Sequence, residues 1–167
     1  FVSRAGISDY TAEFGHTWRP RNNTIQSVFS GIDAESIEYL DDGRVQSEVL
    51  SLRAVEIDTR GRDELGLRFY SSKEGLRLPF EIAPGVILPA ADYSFDEYET
   101  RIGTGNQRKV SGSFSYRDGD FYSGQRLQLE GSVGWRPNRH FRAAMEYQYN
   151  DVVLPQGDFI VRLTRLT

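Results

Sequence analysis

The chain has 167 residues, with 20 basic and 24 acidic side chains, a formal net charge of -4 and no cysteine. This length fits a single domain, and the lack of cysteine excludes disulfides, thiol nucleophiles and cysteine-based metal sites. Because charges of both signs are interspersed, the basic stripe typical of nucleic-acid binding is missing, and we expect no nucleic-acid partner.

The first part of the chain predicts strands, because its apolar side chains alternate with polar ones and never sustain helical spacing. We predict a strand over residues 10–18, ended by Pro20 and the asparagines that follow it. A second strand covers residues 25–40, and the Asp-Gly pair at residues 42 and 43 then makes a hairpin turn. The third strand covers residues 45–59.

Residues 72–92 form the one irregular stretch of the sequence. It follows the strand that carries Leu65, Leu67 and Phe69, and it contains three prolines, Pro79, Pro84 and Pro89. Proline cannot donate to a strand ladder, so we predict a long loop or an edge hairpin there.

Strands then resume and alternate with turn signals to the end of the chain. The predicted strands cover residues 93–104, 110–116, 126–136, 141–150 and 159–163. The predicted turns are Gly105-Asn106, Asp118-Gly119-Asp120, Pro137-Asn138 and Pro155-Gln156-Gly157. The fold class is therefore all-β, an antiparallel up-and-down meander of about nine or ten strands in a single domain over residues 1–167.

The two faces of these strands differ sharply, most clearly in residues 126–136 and 141–150. One face carries apolar side chains, whereas the other is too polar for a packed core. The apolar set is Leu127, Leu129, Val133, Trp135, Phe141, Ala143, Met145, Tyr147 and Tyr149. Ten-residue strands of this kind with aromatic ends are typical of a bacterial outer-membrane β-barrel, so we predict a section of such a barrel. No apolar run reaches the eighteen or so residues of a transmembrane helix.

Two strands break the alternation. The apolar parity changes within residues 25–40, which predicts a bulge or a strand that passes out of the membrane. In residues 45–59, Leu50 and Leu52 interrupt a face that otherwise carries Val45, Val49, Val55 and Ile57. In a barrel, the irregular loop would be extracellular or an inward-folded plug.

A local repeat indicates which strand ends lie together. Trp18-Arg19-Pro20-Arg21-Asn22 is echoed by Trp135-Arg136-Pro137-Asn138, each time at the end of an alternating strand. We predict that both tryptophans lie at the same, periplasmic, side at the headgroup level; the alternative is an ordinary sheet-end aromatic. The predicted membrane-interface aromatics are Trp18, Trp135, Tyr147 and Tyr149.

The polar face suggests a lining rather than a catalytic site. The candidate lumen or solvated charges are Arg126, Glu130, Arg142, Glu146 and Arg162. They form either a ladder of opposite charges around a water-filled lumen or an ordinary solvated face. His16 and His140 lie at strand ends, where solvation is commoner than metal binding. We therefore predict no catalytic residues, cofactor or metal, and no enzymatic activity.

The order of several turn motifs resembles a known family. These motifs are Asn106-Gln107-Arg108-Lys109-Val110-Ser111-Gly112, Gly119-Asp120-Phe121-Tyr122-Ser123-Gly124, Trp135-Arg136-Pro137-Asn138 and Leu154-Pro155-Gln156-Gly157-Asp158-Phe159. They are similar to the C-terminal β-barrel region of an uncharacterised bacterial outer-membrane family whose members carry an N-terminal domain like the family-nine carbohydrate-binding modules. The resemblance implies an outer-membrane barrel section and leaves the activity open. The carbohydrate-binding-like domain has no counterpart in this chain.

Two hypotheses of function follow. The first is a non-catalytic barrel section in the bacterial outer membrane, structural or a passage for solute, with the lipid bilayer as its partner. The second is a β-rich accessory subunit, periplasmic or membrane-associated, that stabilises a larger membrane complex with other subunits. We expect the chain to be a piece of a longer product, because it opens at Phe1 without an initiator Met and stops at Thr167 inside an alternating segment.

Overall fold

The computed structural model describes residues 6–167, which form eleven antiparallel strands and no helix. Residues 1–5 of the predicted domain lie outside the described residues. The strands are β1 Ile7–Trp18, β2 Ile25–Tyr39, β3 Val45–Thr59, β4 Glu64–Gly75, β5 Phe80–Ala83, β6 Val86–Leu88, β7 Asp92–Gly103, β8 Val110–Phe121, β9 Gly124–Asn138, β10 Phe141–Val153 and β11 Phe159–Leu166. Within residues 6–167, no helix has the length and hydropathy needed to cross a membrane.

Nine of the strands form one sheet in the order β1-β2-β3-β4-β7-β8-β9-β10-β11. Each strand pairs antiparallel with its neighbour, so the predicted meander is confirmed. The irregular stretch contains a short hairpin, β5–β6, which forms a separate two-stranded sheet between β4 and β7. In the described part of the chain β1 and β11 are the edges of the large sheet, which is not closed into a barrel.

The two ends of the large sheet carry different connections. At one end, here called the short-turn end, lie residues 19–24, 60–63, 104–109 and 139–140. At the other, the hairpin end, lie residues 40–44, 76–91, 122–123 and 154–158. The 76–91 connection, which holds β5–β6, is much the longest of the eight.

The register separates an apolar face from a polar face. Residues directly opposite each other in neighbouring strands project from the same face. One such row crosses all nine strands of the large sheet and is almost wholly apolar. Its members are Trp18, Val28, Ile57, Leu65, Ile102, Phe114, Gly131, Tyr147 and Thr164.

A bulge explains one of the two irregular parities. The β2–β3 ladder shifts register at three places, but β2 pairs with β1 without a shift from Val28 to Tyr39. Ile37 therefore lies on the polar face with Asp33, and a bulge does not account for the change of parity within β2. β3 shifts between Arg53 and Val55. Because one extra residue reverses the alternation, Leu50 and Leu52 share the apolar face with Val55 and Ile57, and the grouping of Val49 with that face is wrong.

Two predicted turns are displaced. Pro137-Asn138 still belongs to β9, and the chain turns at residues 139–140. Asp118-Gly119-Asp120 lies inside β8, and the chain turns instead at Tyr122 and Ser123, where Tyr122 has φ 51°. Gly119 has φ 150°, and a Cβ atom there would meet the carbonyl oxygen of Asp96. Glycine is therefore required by the close approach of β7 rather than by a turn.

The prediction that Arg162 belongs to the polar face is also wrong. Phe159, which begins β11, lies opposite Val152, and Leu163 lies opposite Gln148, on the polar face. Arg162 lies opposite Tyr149 on the apolar face. The turn through Gly157, at φ 143°, sets this register, and a register shift of one residue exchanges the faces of a whole strand.

The apolar core is small and lies at the hairpin end. Its buried members are Val86 and Leu88 of β6 with Val152 and Leu154 near the β10–β11 turn. By contrast, large apolar side chains stay exposed along the apolar face, as in Phe14, which is 83% exposed. Packing in the interior of the chain therefore does not account for the apolar face.

Candidate functional site

The polar face carries a buried carboxylate, Glu97 of β7, held by two arginines. The Arg126 guanidinium of β9 donates to Glu97 from Nε at 2.9 Å and from Nη2 at 2.6 and 2.8 Å. The Nε of Arg117 lies 3.6 Å from the other side of the same carboxylate. Glu97 is 5% exposed, so its charge is neutralised by partners rather than by bulk water.

A second buried carboxylate, Glu99, lies two residues along the same strand. It accepts hydrogen bonds from the Tyr70 hydroxyl at 2.7 Å, the Ser115 hydroxyl at 3.0 Å and Arg101 at 2.8 Å. These donors come from β4, β8 and β7, so one carboxylate joins three neighbouring strands. Glu99 is 7% exposed.

A third group of charges lies around Arg53 of β3. Its guanidinium donates to Asp33 at 2.5 Å and to Glu13, which belongs to β1, two strands away. The same guanidinium lies 4.3 Å from the centre of the Phe29 ring. It thus combines ion pairs with a cation–π contact.

The three groups form one continuous set of contacts across the face. Arg53 approaches Glu56 at 3.8 Å, and Glu56 accepts from Arg68, which also reaches the Tyr70 hydroxyl. The Arg117 guanidinium, beside Glu97, lies 3.8 Å from the centre of the Tyr70 ring and joins the Glu97 group to the other two. We call this set the polar network. It has five carboxylates and five guanidinium groups and extends from β1 to β9. Its members are Glu13, Asp33, Arg53, Glu56, Arg68, Tyr70, Glu97, Glu99, Arg101, Ser115, Arg117 and Arg126.

The sheet curls around this polar face. One open groove of about 720 Å³ is lined both by Glu64 of β4 and by Arg165 of β11. In a flat sheet, the five strand spacings between β4 and β11 would place them about 24 Å apart. Polar side chains from the strands between contribute to the lining, among them Ser115, Glu130 and Gln148, and Phe114, Tyr147 and Leu163 also line the groove. Hydroxyl, amide and charged groups therefore line much of the groove.

The apolar face is the outer, convex one. Its exposed aromatics include Trp18 and Trp135, at 58% and 50% exposure, and the Trp135 ring packs edge-on against Phe141. Two carboxylates on this face, Asp118 and Asp151, accept hydrogen bonds from tyrosine hydroxyls at 3.1 and 3.0 Å.

The structure places the four aromatics named from the sequence on the apolar face. Trp18 and Trp135 lie at the short-turn end, because β1 and β9 run in the same direction. Tyr149 lies six residues from the Trp135 row, which corresponds to about 20 Å along the strand. Tyr147 lies between these levels, opposite Gly131.

The five charges named from the sequence do not act together. Arg126 belongs to the polar network, while Glu130 accepts from Gln128 at 2.8 Å near the groove. Glu146 pairs at 3.5 Å with Arg165 at the exposed edge of the polar face. The remaining two lie elsewhere, since Arg142 is exposed at a bulge in β10 and Arg162 lies 5.6 Å from the Tyr149 ring on the apolar face.

Sequence reasoning did not single out the most buried charges, Glu97 and Glu99. The available signal was the odd parity of β7, which places them between Phe95 and Arg101 on the face opposite Tyr98. Their arginine partners lie up to two strands away, and such pairs depend on register rather than on sequence spacing.

The described residues contain no group of three or more His, Cys, Asp or Glu side chains that could hold a metal ion. His16 lies in β1, and His140 lies in the β9–β10 turn, where its Nε2 accepts from Arg139. Among the side-chain hydrogen bonds of residues 6–167, none joins a serine to a histidine. The arrangement neutralises and lines a surface, and we assign no reaction to it.

Comparison with protein-family models, with curated proteins and with solved structures finds no match to this chain. The resemblance drawn from the turn motifs therefore stays a prediction. The function rests on the geometry of the two faces.

Proposed function

We propose that the chain is a non-catalytic section of a bacterial outer-membrane β-barrel, with its apolar face toward lipid and its polar face toward the barrel interior. The main support for the proposal is that the exposure of charged and apolar side chains is the reverse of that in a water-soluble protein. Two glutamates of the polar face, Glu97 and Glu99, are buried and paired, whereas large apolar side chains of the other face are open. A bilayer would cover that apolar face, as it covers the outer band of membrane barrels.

Strand length supports the proposal. β1–β4 and β7–β10 have 12 to 15 residues each, and a tilted strand needs about 9 to 11 to cross the hydrocarbon. The excess carries the strands beyond the bilayer at their ends. The tyrosine-bonded Asp118 and Asp151 lie towards the hairpin end of the apolar face, where headgroups would begin.

One connection supports an orientation, because the 76–91 connection is far longer than the other seven of the large sheet, which have two to six residues at both of its ends. Short turns are typical of the periplasmic side of such barrels, and longer loops of the extracellular side. The short-turn end, with Trp18 and Trp135, would then be periplasmic. The hairpin end would be extracellular.

A second function is favoured by one observation, the two open edges of the sheet. Bilayers do not tolerate unpaired strand edges, so β1 and β11 need further strands from the same chain or from other subunits. A β-rich accessory subunit of a larger membrane complex would also present such edges. In that case a protein partner, rather than lipid, would cover the apolar face.

Depth-dependent quenching of tryptophan fluorescence tests the proposal. The chain has only two tryptophans, and both lie on the apolar face. In vesicles of brominated lipid, Trp18→Phe and Trp135→Phe variants should each retain strong quenching by bromines near the headgroup. A protein that stays monomeric in water without detergent, and is not quenched, would overturn the proposal.

A matched pair sharpens the test. Tyr147 lies opposite Gly131 in the middle of β10, so the proposal places it in the hydrocarbon and not at the interface predicted from the sequence. In a background without the native tryptophans, Tyr147→Trp should therefore be quenched best by bromines deep in the acyl chains. Gln148→Trp, one residue away on the polar face, should show little quenching. Equal quenching at both positions would contradict the assigned faces.

A further inference from the structure

The β5–β6 hairpin leaves the large sheet and returns to it at the neighbouring strand. The Leu76 amide donates to the Ala91 carbonyl at 2.9 Å, and this bond joins the two ends of the 76–91 connection. We call these two ends, with the adjacent Arg77, the neck of the hairpin. Since β4 and β7 are paired neighbours, a short turn would be enough to connect them. The additional β5–β6 residues therefore serve another purpose, which their contacts indicate.

The hairpin lies over the polar side of the sheet at the hairpin end. Leu88 is fully buried and Val86 nearly so, against Val152 and Leu154 near the β10–β11 turn. In the sheet, β10 is three strands away from β7. The hairpin therefore crosses the concave side of the sheet from β4 and β7 towards β10 and β11.

Four apolar residues of the large sheet form a surface under the hairpin, which we call the seat. In the middle of the strands the polar face carries charged side chains, but near the hairpin end of four strands the same face carries apolar ones. These apolar positions are Phe95 of β7, Phe121 of β8, Val152 of β10 and Phe159 of β11. Phe121, Val152 and Phe159 contribute to the cluster around Leu88. Apolar side chains inside a polar lining are expected only where something covers them.

The neck is fixed on the opposite side. Arg77 donates to Asp41 at 2.9 and 2.8 Å and to Asp42 at 2.6 Å, and its guanidinium lies 3.5 Å from the Tyr39 ring centre. The hairpin is thus tied to the β2–β3 turn at its neck and to the β10–β11 turn at β6. It spans the mouth of the curled sheet.

The polar network begins directly beneath. The Arg126 guanidinium lies 4.2 Å from the Phe121 ring, so the same residue touches the seat and neutralises Glu97. We propose that the β5–β6 hairpin is an internal plug that closes the hairpin end of the polar interior to solutes. This inference rests on the proposed function for its biological meaning, because a plug needs an enclosed interior.

Thiol labelling tests the plug, since the native chain has no cysteine. Val152→Cys places one thiol under the hairpin, at a position that is 2% exposed. In the detergent-folded protein, a charged thiol reagent should label it slowly. Adding Leu88→Asp should raise the labelling rate at least tenfold, because a carboxylate cannot stay in the apolar seat.

Ile87→Asp is the matched control, because Ile87 is adjacent in β6 but 53% exposed on the other side of the hairpin. It should leave the labelling rate unchanged. A second variant replaces residues 78–89 by Asn-Gly, which keeps Arg77 and the neck, and should label as fast as Leu88→Asp. Rapid labelling of Val152→Cys with the native hairpin, or no acceleration in either variant, would overturn the plug.

Labelling and lipid quenching separate the two proposals. If the thiol is protected but the tryptophans are not quenched, the hairpin covers the polar face, and the proposal of a membrane-barrel section is overturned. If the tryptophans are quenched but the thiol is labelled rapidly, the proposal of a membrane-barrel section is supported and the proposal of a plug is overturned.

Discussion

The guanidinium of Arg117 lies 3.8 Å from the centre of the Tyr70 ring, although β7 separates their strands β8 and β4. The Tyr70 hydroxyl at the same time donates to Glu99 of the intervening strand. Two side chains that reach across a strand in this way stiffen the curl of the sheet. The contact also leaves the Nε of Arg117 buried, with Glu97 as its nearest charge.

Removal of the buried Glu97 charge should destabilise the folded sheet strongly. Glu97→Gln leaves Arg117 and Arg126 without their shared carboxylate, and breaking a buried pair costs about 3–5 kcal/mol. Glu146→Gln is the control, since Glu146 and Arg165 are both more than half exposed and such a pair contributes about 0–1 kcal/mol. Urea unfolding in detergent measures both, and equal losses would show that the network does not stabilise the sheet.

Arginine substitutions on adjacent residues of β9 should differ according to their face. Leu129→Arg places a charge on the apolar face and should cost about 2–4 kcal/mol if that face meets lipid near the midplane. Gln128→Arg, on the polar face beside Glu130, should cost little. Folding into bilayers at graded urea concentrations gives the comparison. Similar costs at both positions would contradict the lipid-facing assignment.

A methyl group at Gly31 should strain the sheet where β1 and β2 pair. Its Cβ atom would lie 2.7 Å from the Phe29 ring and 2.8 Å from the Phe14 carbonyl oxygen. Overpacking of this kind costs about 1–3 kcal/mol. Gly131→Ala is the control, because its nearest neighbour would be 3.9 Å away. Thermal unfolding of the two variants should differ, with Gly31→Ala melting lower.

The neck of the hairpin should weaken in acid. Hydrogen bonds from Arg77 hold the pKa of Asp41 at about 2, below its usual 3.8. A depressed carboxyl pKa stabilises the fold above the unfolded-state value, and this stabilisation is lost as pH falls from about 4 through 2. Stability measured from pH 5 to pH 2 should decline less steeply in Asp41→Asn than in the native protein. Parallel curves would show that the Arg77 contact is not linked to folding.

The alternation of the strands made much of the fold predictable. In β9 and β10 no bulge intervenes between Val133 and Leu127, so Leu129 and Tyr149 share a face as their parity indicated. Turn chemistry was equally informative at Asp42 and Gly43, where Gly43 has φ 68° and the Asp42 side chain accepts from Arg44. Regular pairing and local hydrogen bonds are readable from sequence because they involve near neighbours.

The remaining features depend on register, which the sequence leaves open. The bulge after Arg53 exchanges the faces of β3, and the turn before Phe159 exchanges those of β11. The polar network joins Glu13 to Arg53 and Glu97 to Arg126 across an intervening strand each. The seat of the hairpin likewise combines side chains from strands far apart in the chain.

The large sheet has an odd number of strands, and this restricts how it can be completed. With nine antiparallel strands in sequence, β1 and β11 point in the same direction. If β1 paired directly with β11, the two strands would be parallel. The same would hold if β11 of one copy paired with β1 of a second copy around a common axis. A ring of strictly alternating directions has an even count. If the nine strands described by residues 6–167 belong to such a ring, as proposed, the strands that close it must be odd in number.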